Sequence, residues 1–146
     1  MKQTDKLKQI MQSKLPLIVP GVHNPISAQV AERVGFKSVF VSGHCLSAAT
    51  LGRPDVGITT LTEMIDVTRY IVNAVKIPVL VDGDTGYGGL INVRHTVQEY
   101  ESLKVAGIQF EDQVFPKRCG YLEGGSLAPV IEMQRRVAVA AEAKIN

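Results

Sequence analysis

The 146 residues carry a formal charge of +2 at pH 7 and are 45% hydrophobic, enough apolar side chain for one cored domain over 1–146. Lys and Arg are scattered along the chain rather than gathered, which excludes the one-sided basic face of a nucleic-acid binder. No run of about 20 apolar residues occurs, so no membrane span is expected; residues 1–14 lack the apolar centre of a signal peptide, which makes the cytoplasm the expected location and leaves Cys45 and Cys119 as free thiols.

In chain order, Leu7, Ile10 and Met11 fall at helical spacing and predict a leading helix over 4–13. The run Leu17-Ile18-Val19 reads as a first strand, stopped by a turn at Pro20-Gly21. Asn24-Pro25 is a helix start, with Asn as cap and Pro at the first helical position, and that helix ends before Gly35. Residues 38–41 form a second strand that breaks at Ser42-Gly43, and a loop follows over 51–59. Thr60 and Glu63 have the spacing of a capping box, opening a helix that turns Met64, Ile65, Ile71 and Val75 inward. Residues 78–81 make a third strand ending at Asp82, a helix is expected over 92–104, and residues 107–110 make a fourth strand ending at Glu111. A loop over 112–128 leads to Pro129 and a last helix reaching about 144.

Strand and helix thus alternate four times, which implies right-handed crossovers and a parallel sheet. Two closures remain open on this pattern, a doubly wound sheet and a (β/α)8 barrel. In both, the chemistry belongs at the carboxyl ends of the strands. Each strand is apolar until its end and then turns polar: His23 and Asn24, Ser42 and His44, Asp82 and Asp84, Glu111 and Asp112.

Asp82-Gly83-Asp84 is the sharpest local feature. Two carboxylates one residue apart at the exit of a buried strand can converge on one hard cation, Mg2+ or Mn2+; a helix-capping aspartate pair before the Gly-rich turn 85–89 is the alternative. Glu111 ends the neighbouring strand. Three carboxylates there repel one another unless a cation lies among them. Asp55 could add a water-mediated contact, or simply occupy a turn after Pro54. In the later loop, Lys117-Arg118-Cys119 sets a thiol after two cations, an arrangement that favours a proton donor or nucleophile; a solvated loop triplet is the alternative.

The stretch Val81-Asp82-Gly83-Asp84-Thr85-Gly86-Tyr87-Gly88, followed by Glu111-Asp112-Gln113 and Lys117-Arg118-Cys119-Gly120, resembles the isocitrate lyase / phosphoenolpyruvate mutase superfamily. Pro20-Gly21, Val41-Ser42-Gly43 and Leu51-Gly52-Arg53-Pro54-Asp55 are similar to that family's earlier blocks, and the likeness runs over about 20–133. The resemblance implies a (β/α)8 TIM barrel of which this chain holds the first four βα units and a leading helix. It also implies a divalent metal, Mg2+ or Mn2+, on Asp82, Asp84 and Glu111, and a small 2-hydroxy or 2-oxo carboxylate substrate. A Lys-Arg-Cys-Gly loop looks like that of the carbon–carbon lyases, such as 2-methylisocitrate lyase. In that reading Cys119 donates the proton that quenches the departing fragment of a retro-aldol cleavage, while Ser42, Gly43, His44, Lys117, Arg118 and Gly120 line the substrate. A phosphoenolpyruvate or carboxyphosphonoenolpyruvate mutase-type enzyme is a second reading, and an inactive half-barrel that binds metal or a partner is a third.

The sequence departs from the lyase pattern at three places: Tyr121 stands where His often follows Cys-Gly, Phe40 where Tyr is frequent, and His44 where a small residue is common. A complete barrel takes roughly 250 residues. The expectation is therefore that this chain closes with a missing second half, a partner chain or a copy of itself, as a homo-oligomer.

Overall fold

In the computed structural model, which describes residues 1–145, helices and parallel strands alternate around a four-stranded sheet. The elements are α1 (Gln3–Met11), β1 (Gly21–Val22), α2 (Pro25–Arg33), β2 (Val39–Val41), α3 (Gly43–Leu46), α4 (Leu61–Ala74), β3 (Val79–Asp82), α5 (Leu90–Ser102), β4 (Gly107–Gln109) and α6 (Val130–Ala143), with a π-helical turn at Ser47–Leu51 after α3. The strands lie in sequence order, β1-β2-β3-β4, and every pairing is parallel. Strand order equal to chain order, with a helix in each of the later crossovers, is the arrangement of one side of a (β/α)8 barrel.

The core sits between sheet and helices. Val22, Val39, Val41, Val79 and Val81 come from the strands, Met64, Ile65 and Ile71 from α4, Ala28 and Ala31 from α2, and Tyr100 from α5. Both predicted helix starts form. The Asn24 side chain accepts from the Ser27 N–H at 2.8 Å. The Thr60 hydroxyl accepts from the Glu63 N–H at 3.3 Å while the Thr60 N–H donates to Glu63 Oε2 at 2.7 Å. Those Thr60 hydrogen bonds hold the Glu63 carboxyl below its ordinary pKa.

Three expectations are corrected. The first strand is Gly21–Val22 rather than residues 17–19, because the ladder begins at the Pro20 carbonyl, which accepts from the Phe40 N–H at 2.9 Å. Ile18 lies outside the ladder and is 69% exposed. Proline's missing N–H does not bar it here, since this edge needs only its carbonyl. The segment after β2 is not a simple break: Ser42 caps α3 by accepting from the Cys45 N–H at 3.3 Å. The third crossover helix starts at Leu90, two residues before the expected start, because Asn92 reaches back to accept the Gly89 N–H at 3.0 Å.

Candidate metal and substrate site

The site is built at the carboxyl ends of β3 and β4. β3 is paired on both sides, Val81 opposite Val41 and Ile108. Its last carbonyl, that of Asp82, accepts from the Tyr100 hydroxyl at 2.9 Å and the Tyr87 hydroxyl at 3.3 Å. Burial raises both phenols, and their own contact and the nearby carboxylates act on them as well, so each stays protonated as a donor. The next residues continue the register into the loop: the Gly83 N–H donates to the Gln109 carbonyl and the Glu111 N–H to the Asp84 carbonyl, each at 2.8 Å. A Cβ at position 83 would lie 2.7 Å from Ile108 Cγ2, so glycine is required where the chain passes against β4. Asp84 and Tyr87 adopt positive φ, 51° and 58°, a conformation disfavoured outside glycine; that of Asp84 is held by the Glu111 N–H on its carbonyl.

Asp82, Asp84 and Glu111 bring one carboxylate oxygen each to within 4.8 Å of one another. Asp82 is aimed by two donors: the Asp84 N–H to Oδ1 at 3.0 Å and the Gly43 N–H to Oδ2 at 3.1 Å. Gly43 therefore enters the site by holding a carboxylate, and its N–H is already spent there. A Cβ at position 43 would meet Asp82 Oδ2 at 2.9 Å. Glu111 Oε2 accepts from Gln113 Nε2 at 2.9 Å. Asp84 Oδ1 is buried and its contact is the ion pair with the Lys117 ammonium at 3.1 Å. Three converging carboxylates, all hard donors, with a single ammonium among them fit a hard divalent cation in its place.

The charge balance in this state comes from Lys117. Its side chain is 1% exposed and its ammonium lies 2.8 Å from Asp55, 3.1 Å from Asp84 Oδ1 and 3.8 Å from Glu111. Burial works against that ammonium, but the Asp55 hydrogen bond and the charges of Asp84 and Glu111 outweigh it and push its pKa up. Burial in turn pushes Asp84 up to about 7, against the pull of Lys117, and raises Glu111 as well.

The 113–127 loop brings the thiol. Gln113 Nε2 also donates to the Arg118 carbonyl at 2.8 Å, Oε1 accepts the Arg118 N–H at 3.1 Å, and the Val114 N–H donates to the Ser126 carbonyl at 2.9 Å. The Cys119 N–H donates to the Asp55 carbonyl at 3.0 Å, docking the loop on the segment after the π-helical turn. Ser47 steadies that segment by donating its hydroxyl to the Arg53 and Pro54 carbonyls at 3.0 and 3.2 Å. The two cations before the thiol point elsewhere: Lys117 into the carboxylates and Arg118 to the Glu123 carbonyl at 3.0 Å. Of the two, Lys117 is the one joined to the thiol's surroundings, through Asp55. Asp55 lies with Lys117, His44 and Cys119 rather than in the three-carboxylate group. Ser42 lies behind the site as the cap of α3, Gly120 is exposed, and Tyr121 is 93% exposed.

Comparison with known proteins decides the family. The profile for phosphoenolpyruvate phosphomutase matches residues 7–146. The chain belongs to the phosphoenolpyruvate phosphomutase family. It is 41% identical to 2,3-dimethylmalate lyase of Eubacterium barkeri over 97% of this chain and 49% of that protein. It is also 41% identical to 2-methylisocitrate lyase of Aeropyrum pernix, over 94% of this chain and 44% of that one. Among solved structures, oxaloacetate acetylhydrolase bound to 3,3-difluorooxalacetate superposes with a TM-score of 0.93 at 36% identity, covering 98% of this chain and 49% of that one. Phosphonopyruvate hydrolase in complex with oxalate and Mg2+ does so with a TM-score of 0.89 at 32% identity, covering 100% and 50%. The chain spans about half the length of these phosphomutase-family relatives, and its α/β architecture is that of the family's barrel. No helix among the described residues is long and apolar enough to cross a membrane.

Sequence reasoning missed Gln113, Arg136 and the buried role of Lys117. Arg136, 5% exposed, donates to the Gln113 carbonyl at 2.9 Å and pairs with Glu132, fixing the base of the loop from α6. A signal existed for Lys117: three converging carboxylates call for a cation, and it is the first one in the loop after β4.

Proposed function

We propose that this chain is the metal-binding half of a divalent-metal-dependent carbon–carbon lyase acting on a small 2-hydroxy or 2-oxo carboxylate, in the manner of 2-methylisocitrate or 2,3-dimethylmalate cleavage. The observation that carries this reading is the convergence of Asp82, Asp84 and Glu111, with the buried Asp84 Oδ1 held by the Lys117 ammonium. These three would hold Mg2+ or Mn2+. Asp55 is better matched to anchoring Lys117 than to a water-mediated metal contact. When bound, the ion supplies Lewis-acid polarisation of substrate oxygens.

The chain's own residues do the rest. The tyrosine pair and the Gly43 N–H keep the carboxylates aimed before substrate arrives, so little reorganisation is left to the reaction. Lys117 neutralises them until a cation does. The 113–127 loop sets Cys119 over the rim, where its S–H delivers a proton to the carbon that leaves when the C–C bond breaks. In this reading Arg118 and Gly120, the loop neighbours of Cys119, would meet substrate carboxylates, while Ser42 caps α3 and Gly43 holds Asp82.

A phosphonate mutase or hydrolase is the second reading, and it has a specific support. The chain is also similar to a phosphoenolpyruvate phosphomutase of Streptomyces platensis subsp. rosaceus, with a TM-score of 0.93 at 37% identity over 98% of this chain and 50% of that one. A further βα set, from a second half or a copy of this chain, would complete the barrel. β4 is paired only with β3, and an apolar groove of about 900 Å³ beside it is lined by Met11, Ile108, Phe110, Met133 and Val137. A cytoplasmic enzyme is the matching location.

The test is turnover with Mg2+ on 2-methylisocitrate, 2,3-dimethylmalate, oxaloacetate and phosphonopyruvate, for this chain alone and with a second half supplied. Cleavage of a hydroxy- or oxo-diacid supports the lyase. Action on phosphonopyruvate alone supports the phosphonate reading. Mg2+ binding without turnover in either format removes the enzyme assignment.

A further inference from the structure

Beside the carboxylate rim lies a second cluster that metal binding does not use. His44, Asp55 and Cys119 each bring an imidazole nitrogen, a carboxylate oxygen or Sγ to within 4.8 Å of the others. They come from three separate segments, and each is fixed by its own contacts. His44 rides on α3, whose Gly43 is tied to Asp82 and whose first turn is capped by Ser42. Asp55 is held through its carboxylate by Lys117 and through its carbonyl by the Cys119 N–H.

A thiol that gives its proton to a carbanion ends the turnover as a thiolate, and the proton must be replaced. Cys119 is only 8% exposed, so its direct access to solvent is narrow. Lys117 is committed to three carboxylates, and Asp55 to Lys117. Of the side chains in this cluster, His44 is the exposed one, and imidazole is the side chain suited to exchanging protons with water near neutral pH. Two groups that share one water at ordinary hydrogen-bond lengths lie roughly 4.5–5 Å apart, which is the scale of this cluster.

We infer that His44 is the proton relay that reloads Cys119. The step balances as follows: the Cys119 S–H bond breaks as a C–H bond forms on the departing carbanion, the thiolate then takes a proton from the His44 imidazolium, and the imidazole regains one from solvent. The proton that the substrate hydroxyl loses on cleavage passes to solvent, so the one taken up by the imidazole leaves the turnover proton-neutral. His44 acts through the thiol and is a positioning residue rather than a catalytic one. The inference rests on the lyase reading above, so its test reads the pair without any substrate.

With Cys45 replaced by Ser, Cys119 is the only thiol of the chain. Its labelling by iodoacetamide at pH 7, followed by mass spectrometry, is expected to slow about tenfold in His44→Ala and to recover when free imidazole is added. His44→Gln, which fills the same space, should be equally slow and should not be rescued. Circular dichroism and retained Mn2+ binding report that the variants fold; should His44→Ala not fold, the His44→Gln rate decides alone. An unchanged or faster rate in the folded variant would overturn the relay. Labelling that depends on His44 in a chain that cleaves none of the substrates above would keep the pair and remove the lyase reading. Cleavage with labelling indifferent to His44 would do the reverse.

Discussion

The β3–β4 end of the sheet and the 113–127 loop hold the two parts of the proposed site and are built in opposite ways. Asp82 and Asp84 leave a strand paired on both sides, the backbone after it is locked to β4 and Glu111, and one buried and one half-buried phenol close over the last carbonyl. The loop is largely exposed and depends on a few long-range bonds: the Gln113 amide, the Cys119 N–H to Asp55, and Arg136 at its base. The difference teaches where each function is stored. The carboxylates are fixed by the sheet, whereas thiol placement depends on a loop whose deepest anchor is Lys117, and that ammonium sits among the carboxylates proposed to hold the metal.

The sharpest way to break this division is at the ligands. Asp84→Asn should lower Mn2+ or Mg2+ affinity by roughly a hundredfold or more, since it removes a ligand rather than a supporting contact. Isothermal titration checks it, and wild-type affinity would show that the ion lies elsewhere.

Lys117→Ala tests the shared anchor next. Removing one partner from a buried charge cluster leaves the others uncompensated, so metal-free stability should fall by about 3 kcal/mol. Metal affinity should rise about tenfold, because the competing ammonium is gone. Thermal melts with and without Mg2+ read both changes, and the destabilisation should largely vanish with the ion present.

The third prediction concerns pH. Asp84, pushed up to about 7 by burial, must lose its proton to bind a cation. Affinity should therefore climb by up to tenfold per pH unit below 7 and level off above it. The stability sign is opposite to that of an ordinary paired carboxylate. A pKa raised on folding gives a contribution that is full below the usual carboxylate range and lost as pH rises through about 7. Metal-free protein should thus lose stability from about pH 4 to 7 on account of Asp84, with Glu111, also raised, acting in the same direction. Titration calorimetry and melts across that range check the two signs.

The smallest effect is expected at Tyr100→Phe, which deletes one of two hydroxyls on the Asp82 carbonyl. It should cost about 1 kcal/mol and leave metal affinity nearly unchanged, since Tyr87 reaches the same oxygen. A large loss of affinity would mean that the strand end is less firmly held than its pairing implies.

Much of this was legible in the sequence because apolar strands that end in acids, with capped helices between them, leave few other folds. The Asp82, Asp84 and Glu111 set was readable from strand ends alone. What stayed hidden depended on contacts between distant segments. Ile18 looked strand-like, and the ladder, with Gly21 opposite Phe40 and the Phe40 N–H on the Pro20 carbonyl, starts beyond it. α3 and the π-helical turn were missed because Ser42-Gly43 resembles a break when its cap on Cys45 cannot be seen. Lys117 looked like a substrate-facing loop cation, and its burial follows from a loop returning across 62 residues to Asp55.

The most direct test is a crystal of the chain soaked in Mn2+ and measured at an anomalous wavelength. The account predicts one strong peak ringed by Asp82, Asp84 and Glu111, with the Lys117 ammonium displaced from Asp84. A peak at His44 and Cys119 instead, or no peak at the three carboxylates at saturating Mn2+, would contradict it.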